Sequence, residues 1–289
     1  MTVLSMVTKD SYTKLMKAPI TLEDVLNSTL QIPYKALILV DDSKDKTREV
    51  IRRWCDKHNK ELIISSSRLY GYYRPTRATA RQTAIDIFME NFNDEWLMFI
   101  DDDIIINKGW WDEAQKFVSD PRIGLIWGIN YDCTPERSYY LKMLGVDYIQ
   151  YLIKEFYRRG GMHDTMLRRA AIKGIMIPPE LHIFEDWYVL KYVQERGYRV
   201  GIVKAGITHY NPFIGYPMKD IRWMAYLAKK YGVEPKDIEY AMYRLIRSLG
   251  SIVPSLPLSI KSFGFRKGVR RAFDRWKIKV LYRVFFLLE

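Results

Sequence analysis

Short apolar runs alternate with segments of helical periodicity through most of the chain. Strands are predicted at Thr2–Val7, Lys35–Val40, Leu62–Ile64, Trp96–Ile100, Ile123–Trp127 and Tyr198–Val203. Helices are predicted after the T-x-x-D capping box at Thr21–Asp24, and on the apolar faces of Val50–Cys55, Ala80–Phe88, Gly109–Val118 and Glu185–Glu195. Strand and helix alternation at this spacing predicts an α/β fold, with a mostly parallel central sheet and flanking helices.

The remaining segments are less regular. Ser138–Phe156 is rich in aromatic and apolar residues and predicts a further helix, whereas Gly71–Arg81 reads as an arginine-rich loop. The paired glycines in Arg158–Asp164 predict a mobile loop. Beyond Pro212 the pattern predicts helices and no strands. We therefore expect one domain over residues 1–212 and a basic helical extension over residues 213–289.

Composition places the chain among globular proteins with an anionic partner. Of its 289 residues, 48% are hydrophobic and 28% charged. Cys55 and Cys133 make no disulfide framework, and no signal-peptide pattern is seen, which together predict a cytoplasmic setting. The net charge of +12 predicts binding to nucleic acid, anionic lipid or a phosphorylated substrate.

The last segment concentrates this charge, since Lys261–Glu289 holds nine Lys and Arg against two acids. On a helix, one narrow arc would collect Val269, Phe273, Trp276, Val280, Val284 and Leu288, leaving Lys267, Arg270, Arg271, Arg275 and Lys279 outside it. A basic amphipathic helix with aromatic residues is typical of the membrane interface. We predict peripheral attachment to the anionic inner face of a membrane. Packing of this helix on the enzyme's own core or on another subunit is the alternative.

Three aspartates, Asp101, Asp102 and Asp103, directly follow the apolar run Trp96–Ile100. Adjacent carboxylates at the end of a buried strand repel one another and are costly to desolvate, so a cation would stabilise them. Carboxylate oxygens suit hard ions such as Mg²⁺ or Mn²⁺, and open α/β sheets bind ligands at the carboxyl ends of their strands. The pattern predicts a metal–diphosphate site. A solvated acidic turn or a helix cap is the alternative.

Neither G-x-G-x-x-G nor G-x-x-x-x-G-K-[ST] occurs in the sequence. Instead, four ordered segments resemble family 2 inverting glycosyltransferases of the GT-A fold. They are ALILVDDSKDKT at Ala36–Thr47, Ala80-Arg81-Gln82, the D-x-D segment within Phe99–Trp110, and Phe184–Trp187 followed by Arg196–Arg199. The resemblance covers about residues 2–212. It departs from the family pattern at Thr8-Lys9-Asp10 and at Lys173-Gly174-Ile175, where the family has other residues.

This resemblance implies a hexosyltransferase-like enzyme. It would move a sugar from a UDP- or GDP-linked donor to an acceptor hydroxyl by single displacement with inversion. Carboxylates can accept hydrogen bonds from base N–H groups and ribose hydroxyls. The resemblance gives that role to Asp42, with Thr8, Asp10 and Asp41 as further candidates. N-capping of the following helix is the alternative for Asp41 and Asp42.

The resemblance also implies a metal cofactor, Mn²⁺ or Mg²⁺. Asp103 would bind it directly, and Asp101 would contact the metal or the ribose. Asp102 matches the variable middle position on the donor side. His209 would complete the metal site, although a lone histidine more often packs or faces solvent.

Three arginines could contact the donor phosphates or brace the aspartates. They are Arg74, Arg77 and Arg81, and guanidinium groups match phosphate geometry. Placement on an exposed loop is the alternative.

Inversion requires a base that takes the proton of the acceptor hydroxyl. Asp186 is the candidate and Glu185 the second choice, while stabilisation of a helix N-terminus is the alternative role for both. Trp187 would form a sugar-stacking wall on the acceptor side, where His163 also lies in sequence. The acceptor would be a glycan or a lipid-linked glycan, an expectation suggested only by the basic C-terminal segment.

Two rival functions remain. A sugar nucleotidyltransferase also uses acidic strand ends and Mg²⁺, but normally carries a Gly-rich, Lys-containing loop after its first strand, which this sequence lacks. A non-enzymatic basic protein would bind RNA or membrane, and RNA binding would show a steep salt dependence. We expect no nucleic-acid partner. The sequence assigns no oligomeric state.

Overall fold

The computed structural model describes residues 2–71, 75–132, 145, 147–210 and 218–289. Most of them fall into two compact units. The α/β unit contains the described residues of 2–132 and 147–210, and the helical unit contains 218–289. Cys133, Arg74 and residues 138–144 and 146 of the predicted helix Ser138–Phe156 lie outside the described residues, whereas the rest of that prediction falls largely on α6, which is helical from Tyr148.

Eight strands form one sheet in the described part of the α/β unit. They are β1 (Thr2–Thr8), β2 (Tyr34–Asp41), β3 (Glu61–Ser65), β4 (Trp96–Ile100), β5 (Ile104–Ile106), β6 (Ile123–Asp132), β7 (Met166–Arg168) and β8 (Arg199–His209). Their order is β3-β2-β1-β4-β7-β6-β8-β5. The pairs β1–β2, β1–β4, β2–β3 and β6–β8 are parallel, while β7 and β5 pair antiparallel with their neighbours. The predicted mostly parallel α/β sheet is confirmed.

Helices connect and cover these strands. Those of the α/β unit are α1 (Ser11–Leu15), α2 (Leu22–Ser28), α3 (Thr47–Lys57), α4 (Arg77–Asn91), α5 (Trp110–Val118), α6 (Tyr148–Arg159), α7 (Arg169–Ile172) and α8 (Glu185–Glu195). The predicted capping box of α2 is confirmed, since Asp24 N donates to Thr21 Oγ1 at 3.1 Å and Thr21 N donates to Asp24 Oδ2 at 2.8 Å. Helix α4 packs on β1 and β2, α3 on β3, and α5 on β6 and β8.

Strand β4 is the most deeply buried part of the sheet. All five of its residues are buried, and Trp96 and Phe99 are among the largest fully buried side chains. Neighbouring strands cover both of its edges. The aspartates that follow it are therefore held on a rigid element.

Two sequence predictions are corrected. The arginine-rich loop ends at Thr76, because Thr76 Oγ1 accepts from Thr79 N at 3.1 Å and caps α4 there, so Arg77 and Arg81 are helical. The predicted mobile loop is not one either: α6 continues to Arg159, and residues 161–164 are buried. Hydrogen bonds of His163 and Asp164 to buried tryptophans hold that segment.

The helical unit contains α9 (Met218–Tyr231), α10 (Ile238–Gly250), α11 (Ile252–Phe263) and α12 (Phe265–Leu288). Helix α12 packs on the other three and buries Gly268, Ala272 and Phe286. Buried Arg283 of α12 also pairs with buried Glu234. Within the described residues, no helix combines the length and apolar character needed to cross a membrane.

Candidate active site

The carboxyl ends of three parallel strands meet at one edge of the sheet. Thr8 at the end of β1 pairs in register with Asp41 of β2, and Met6 pairs with Ile100 of β4. The residues just beyond these strands therefore lie together, as ligand-binding residues of open α/β sheets do. They include most of the side chains that the sequence assigned to donor binding.

Arg81 of α4 lies among three carboxylates from distant segments. Its Nη1 donates to Asp186 Oδ1 and is 3.4 Å from Glu185 Oε1, while its Nη2 is 3.6 Å from Asp101 Oδ1. Burial opposes the charge of the guanidinium, but the three carboxylates outweigh it and raise the pKa of Arg81 above its usual range. A single buried cation thus joins the end of β4 to the start of α8.

The two acids that open α8 have different surroundings. Glu185 is buried, and burial, together with the charge of Asp186, raises its pKa from 4.5 to about 8 against the opposing effect of Arg81. The Asp186 side chain is 27% exposed. The N-cap residue Phe184 makes no side-chain cap, and Asp186 binds Arg81. Gly160 lies so close that a Cβ there would collide with the backbone of Asp186.

Asp103 and His209 are close to each other where β5 pairs with β8. His209 Nε2 is 3.0 Å from Asp103 Oδ1, and Asn130 Nδ2 is 3.2 Å from His209 Nδ1. Burial opposes ionisation of Asp103, but the hydrogen bond and charge of His209, with the charge of Lys14, hold its pKa far below the usual value. Burial lowers the pKa of His209, yet Asp103 raises it to a net value above normal. Each of the two side chains therefore favours the charged form of the other.

This pair fits a hard divalent ion. In an octahedral shell with ligands at roughly 2.1 Å, neighbouring ligands stand about 3.0 Å apart, which is the separation of Asp103 Oδ1 and His209 Nε2. Among the described residues, no three His, Cys, Asp or Glu side chains are arranged as a complete metal site. Substrate phosphates and water commonly fill the remaining positions of such ions. Asp101 points its carboxylate at Arg81.

Asp102 is buried and binds side chains of the β1–α1 segment. It accepts from Thr8 Oγ1 at 2.7 Å, from Ser11 Oγ, and from Lys14 Nζ at 2.8 Å. Sequence reasoning missed Ser11 and Lys14, because α1 is too short for a periodic signal. The three adjacent aspartates therefore have three different sets of partners.

The predicted base- and ribose-binding carboxylates surround the loop after β2. Asp41 is fully buried and accepts from Arg48 Nε at 2.7 Å, while Asp42 accepts from Ser67 Oγ at 2.5 Å. Asp10 accepts from Lys44 N at 2.9 Å. Neither Asp41 nor Asp42 caps α3, since the N-cap of that helix makes no side-chain bond.

His163 is buried beside the aspartates. Its Nδ1 is 2.7 Å from Asp164 Oδ1, and its carbonyl oxygen accepts from Asp101 N at 2.9 Å. Asp164 Oδ2 accepts from Trp110 Nε1 at 2.7 Å, and a Cβ on Gly128 would occupy that space. Asp164 and Trp110 were not predicted as neighbours of the site. The His-Asp dipeptide that follows Gly160, Gly161 and Met162 was the only local signal for Asp164, whereas Trp110 ends the D-x-D segment Phe99–Trp110.

Two further predicted residues lie at the margin of this cluster. Arg77 is exposed one turn before Arg81, with electrostatic interactions to Glu185 and Asp186. Trp187 is half-buried in the first turn of α8.

The structure thus brings together most of the predicted site residues. They are Thr8, Asp101, Asp102, Asp103, Arg81, Glu185, Asp186, His163 and His209, with Asp10, Asp41 and Asp42 around the adjoining loop.

A comparison with models of protein families shows to which family the chain belongs. The family model described as Glycosyl transferase family 2 matches residues 17–174, more than half of the chain. The chain belongs to this family. The matched part of this family 2 glycosyltransferase includes Asp42, Arg81 and the three aspartates, and ends before Glu185. No curated protein matches the chain in sequence.

Solved structures with a similar fold are GT-A glycosyltransferases. The mannosyltransferase PcManGT from Pyrobaculum calidifontis, in complex with GDP-Man and Mn²⁺, has a TM-score of 0.53 at 15% identity, covering 98% of this chain and 72% of that one. S. aureus TarS 1–349 with UDP-GlcNAc gives 0.55 at 15% identity, covering 99% and 90%. This chain spans 54% of the longer TarS chain. At these identities the likeness establishes the fold alone.

A third structure has the same fold. Glucosyl-3-phosphoglycerate synthase from Mycobacterium tuberculosis, with Mn²⁺, UDP and phosphoglyceric acid, has a TM-score of 0.51 at 12% identity, covering 81% of this chain and 79% of that one. The family 2 chain is thus a GT-A protein, and its family and fold support a nucleotide-sugar glycosyltransferase.

Proposed function

We propose that this protein transfers a sugar from a UDP- or GDP-linked donor to an acceptor hydroxyl by single displacement with inversion at the anomeric carbon. The observation that carries the proposal is the position of Arg81 between Asp101 and Asp186. The segment assigned to the donor and the segment assigned to the acceptor-side base thereby meet at one buried cation.

The donor site is assigned to the edge formed by β1, β2 and β4. Thr8, Asp10, Asp41 and Asp42 surround the loop that would receive the base and ribose. PcManGT was solved with GDP-Man, and TarS with UDP-GlcNAc. These donors support the choice of UDP- or GDP-linked sugars, and hexoses in particular.

Asp103 and His209 are the residues proposed to hold a divalent ion, and Asp101 is the candidate for a contact with the metal or the ribose. When bound, Mn²⁺ or Mg²⁺ would neutralise the negative charge that develops on the departing diphosphate. Arg81 adds a positive charge beside Asp101. Arg77, which is exposed and interacts electrostatically with Glu185 and Asp186, is a further candidate for phosphate contact. Arg74 keeps that role from the sequence alone.

Asp186 is the proposed general base. A base must be unprotonated, and Glu185, with its pKa raised to about 8, keeps its proton at neutral pH. Arg81 binds Oδ1 of Asp186 and fixes its orientation, and none of the described residues donates to Oδ2. That oxygen would receive the proton of the acceptor hydroxyl. Trp187 and His163 are proposed as acceptor-side contacts.

We further propose that the helical unit lies on an anionic bilayer, on the cytoplasmic face. Residues 218–289 hold sixteen Lys and Arg against six Asp and Glu, so they carry most of the net charge of +12. Ile238, Met242, Ile246 and Leu249 recur at helical spacing on α10, and each is at least 45% exposed. An exposed apolar stripe on a strongly basic unit suits the lipid interface. The acceptor would then be a lipid-linked or membrane-proximal glycan.

One screen tests the enzymatic proposal. The purified protein is incubated with a panel of UDP- and GDP-sugars and Mn²⁺, and release of the nucleoside diphosphate is measured. Slow donor hydrolysis with one sugar class is the expected result. Release of pyrophosphate from a sugar phosphate and a nucleoside triphosphate would instead indicate a nucleotidyltransferase. No turnover of any donor, together with RNA binding of steep salt dependence, would support the non-enzymatic alternative.

A further inference from the structure

Lys14 of α1 places a positive charge against the carboxylate proposed to bind the metal. Its Nζ is 2.8 Å from Asp102 Oδ1 and 3.0 Å from Asp103 Oδ2. Both oxygens of Asp103 are therefore engaged, one by Lys14 and the other by His209. The side chains of Asp102 and Asp103 are only 9% and 5% exposed, whereas that of Lys14 is 37% exposed.

The position of Lys14 is fixed by the structure around it. Asp102, which accepts from Lys14, also accepts from Thr8 Oγ1 and Ser11 Oγ at the two ends of the β1–α1 turn. The first turn of α1 is held from the other side as well, since Tyr12 N donates to Thr47 Oγ1 at 3.0 Å. Lys14 is thus a positioned charge, unlike an ordinary surface lysine.

We propose that the Lys14 ammonium competes with the divalent metal for Asp103. This inference rests on the proposed metal-dependent function. Without metal, Lys14 neutralises the otherwise uncompensated Asp102 and Asp103 carboxylates. A divalent ion bound to Asp103 would lie within a few ångströms of the ammonium, and two cations at that distance repel each other strongly in a partly buried site. Asp102 acts here as a positioning residue, because it holds Lys14 in place.

The competition has a functional consequence. The site binds free metal weakly, and the negative diphosphate of the donor would offset the repulsion between the two cations. Metal and donor would then bind more tightly together than either does alone, as thermodynamic linkage requires. Lys14 would therefore set the metal affinity of the empty enzyme.

Titration of the full chain with Mn²⁺ alone, followed by calorimetry or by the Mn²⁺ paramagnetic resonance signal, tests this proposal. Lys14→Met keeps the length of the side chain and removes its charge. We expect it to bind Mn²⁺ at least tenfold more tightly than wild type, a change equivalent to about 1.4 kcal/mol. Lys14→Arg, which keeps the charge, should stay near wild type. Lys9→Met is the matched control, because it removes an exposed lysine from the same turn.

The outcomes separate this inference from the proposed function. Mn²⁺ binding by wild type with equal or weaker binding by Lys14→Met overturns the role of Lys14 and leaves the metal proposal standing. If Lys9→Met and Lys14→Met increase the Mn²⁺ affinity equally, the effect comes from net charge alone, and the proposed role of Lys14 is overturned. Absence of Mn²⁺ binding in every variant rejects the metal proposal and this inference together. Lys14→Gln replaces Lys14→Met in the same test should the latter lose the native circular dichroism spectrum.

Discussion

Arg81 on α4 donates to Asp186 on α8 across 105 residues of sequence, and the same guanidinium lies 3.6 Å from Asp101 at the end of β4. The contact ties together the two halves of the proposed catalytic centre. The Arg81 side chain is only 7% exposed, so water does little to stabilise its charge. The positive charge of Arg81 and the negative charges of these carboxylates therefore neutralise each other.

Removing Arg81 should therefore destabilise the protein as well as inactivate it. Arg81→Met leaves Asp101, Glu185 and Asp186 without their shared cation, and breaking a buried pair in this way costs roughly 3–5 kcal/mol. Arg77→Met removes an exposed arginine from the same helix and should change the free energy of unfolding by less than about 1 kcal/mol. Urea denaturation measures both. Equal effects of the two substitutions would contradict the importance of the cluster.

Glu185 should make stability depend on pH in a direction opposite to that of most carboxylates. Its pKa rises from 4.5 to about 8 on folding, so between these values the folded state holds a proton that the unfolded state has released. The free energy of unfolding contributed by this group is fully present below pH 4.5 and is lost as pH rises through 8. The slope reaches at most about 1.4 kcal/mol per pH unit.

Glu185→Gln mimics the protonated acid, so the free energy of unfolding of this variant should lack the pH dependence contributed by Glu185. Relative to wild type, the variant should gain stability steadily between pH 5 and pH 8, as measured by urea denaturation at several pH values. Glu49→Gln, at an exposed position of α3, serves as the control, and its free energy of unfolding should change with pH as that of wild type does. A constant difference between wild type and Glu185→Gln across this range would show that Glu185 titrates normally.

Local sequence pattern was enough to predict the strands that carry the site. The apolar run of β4 followed by three aspartates, and the capping box of α2, are both formed by neighbouring residues. The same information could not separate the three aspartates, because their partners come from elsewhere: Arg81 for Asp101, Lys14 for Asp102, and both Lys14 and His209 for Asp103.

Several short elements, among them β7 and α1, were missed for a related reason. Strand β7 has only three residues and gains its stability by pairing between β4 and β6, so its own sequence carries little signal. Helix α1, with five residues, is held by Asp45 of the loop after β2, by Thr47 at the start of α3 and by Asp102. Tertiary contacts determine the secondary structure of such short segments, and local sequence periodicity contains no information on those contacts.

The metal proposal predicts a selective loss at Asp103. Asp103→Ala removes the carboxylate that lies 3.0 Å from His209 Nε2, and should abolish transfer and weaken metal-dependent donor binding. Asp112→Ala, at an exposed position of α5, is the control and should retain both. Donor turnover and donor affinity are measured with and without Mn²⁺. Full activity of wild type in excess chelator would reject the metal requirement.

The membrane proposal is best tested on α10, since α12 packs on the rest of the helical unit and its deletion would expose buried surface. Replacing Ile238, Met242 and Ile246 together with serine should abolish sedimentation with vesicles containing anionic lipid. Met176→Ser removes an exposed apolar side chain from the α/β unit and should leave binding unchanged. Wild type should not sediment with neutral vesicles. A stable dimer that is lost with the triple substitution, without any lipid binding, would assign the stripe to self-association.

The role of Asp186 can be separated from that of an ordinary helix-terminal acid. Asp186→Asn keeps the shape of the side chain and its acceptor for Arg81, but removes the group that would take a proton. General-base assistance typically contributes about 10²–10⁴-fold, so transfer should fall by roughly that factor. Donor affinity should change little, because Asp101 and Asp103 remain in place.

A carboxylate that only stabilised the first turn of α8 would behave differently. Its loss would cost about 0.5–2 kcal/mol of stability and leave turnover nearly intact. In the structure, the N-cap residue of α8 makes no side-chain bond, and the Asp186 carboxylate binds Arg81. Thermal midpoint, donor affinity and transfer rate, measured on the same variant, distinguish them. A transfer rate within a few-fold of wild type would reject Asp186 as the base, and Glu185→Gln, assayed above pH 8 where wild-type Glu185 is ionised, would then test the remaining carboxylate.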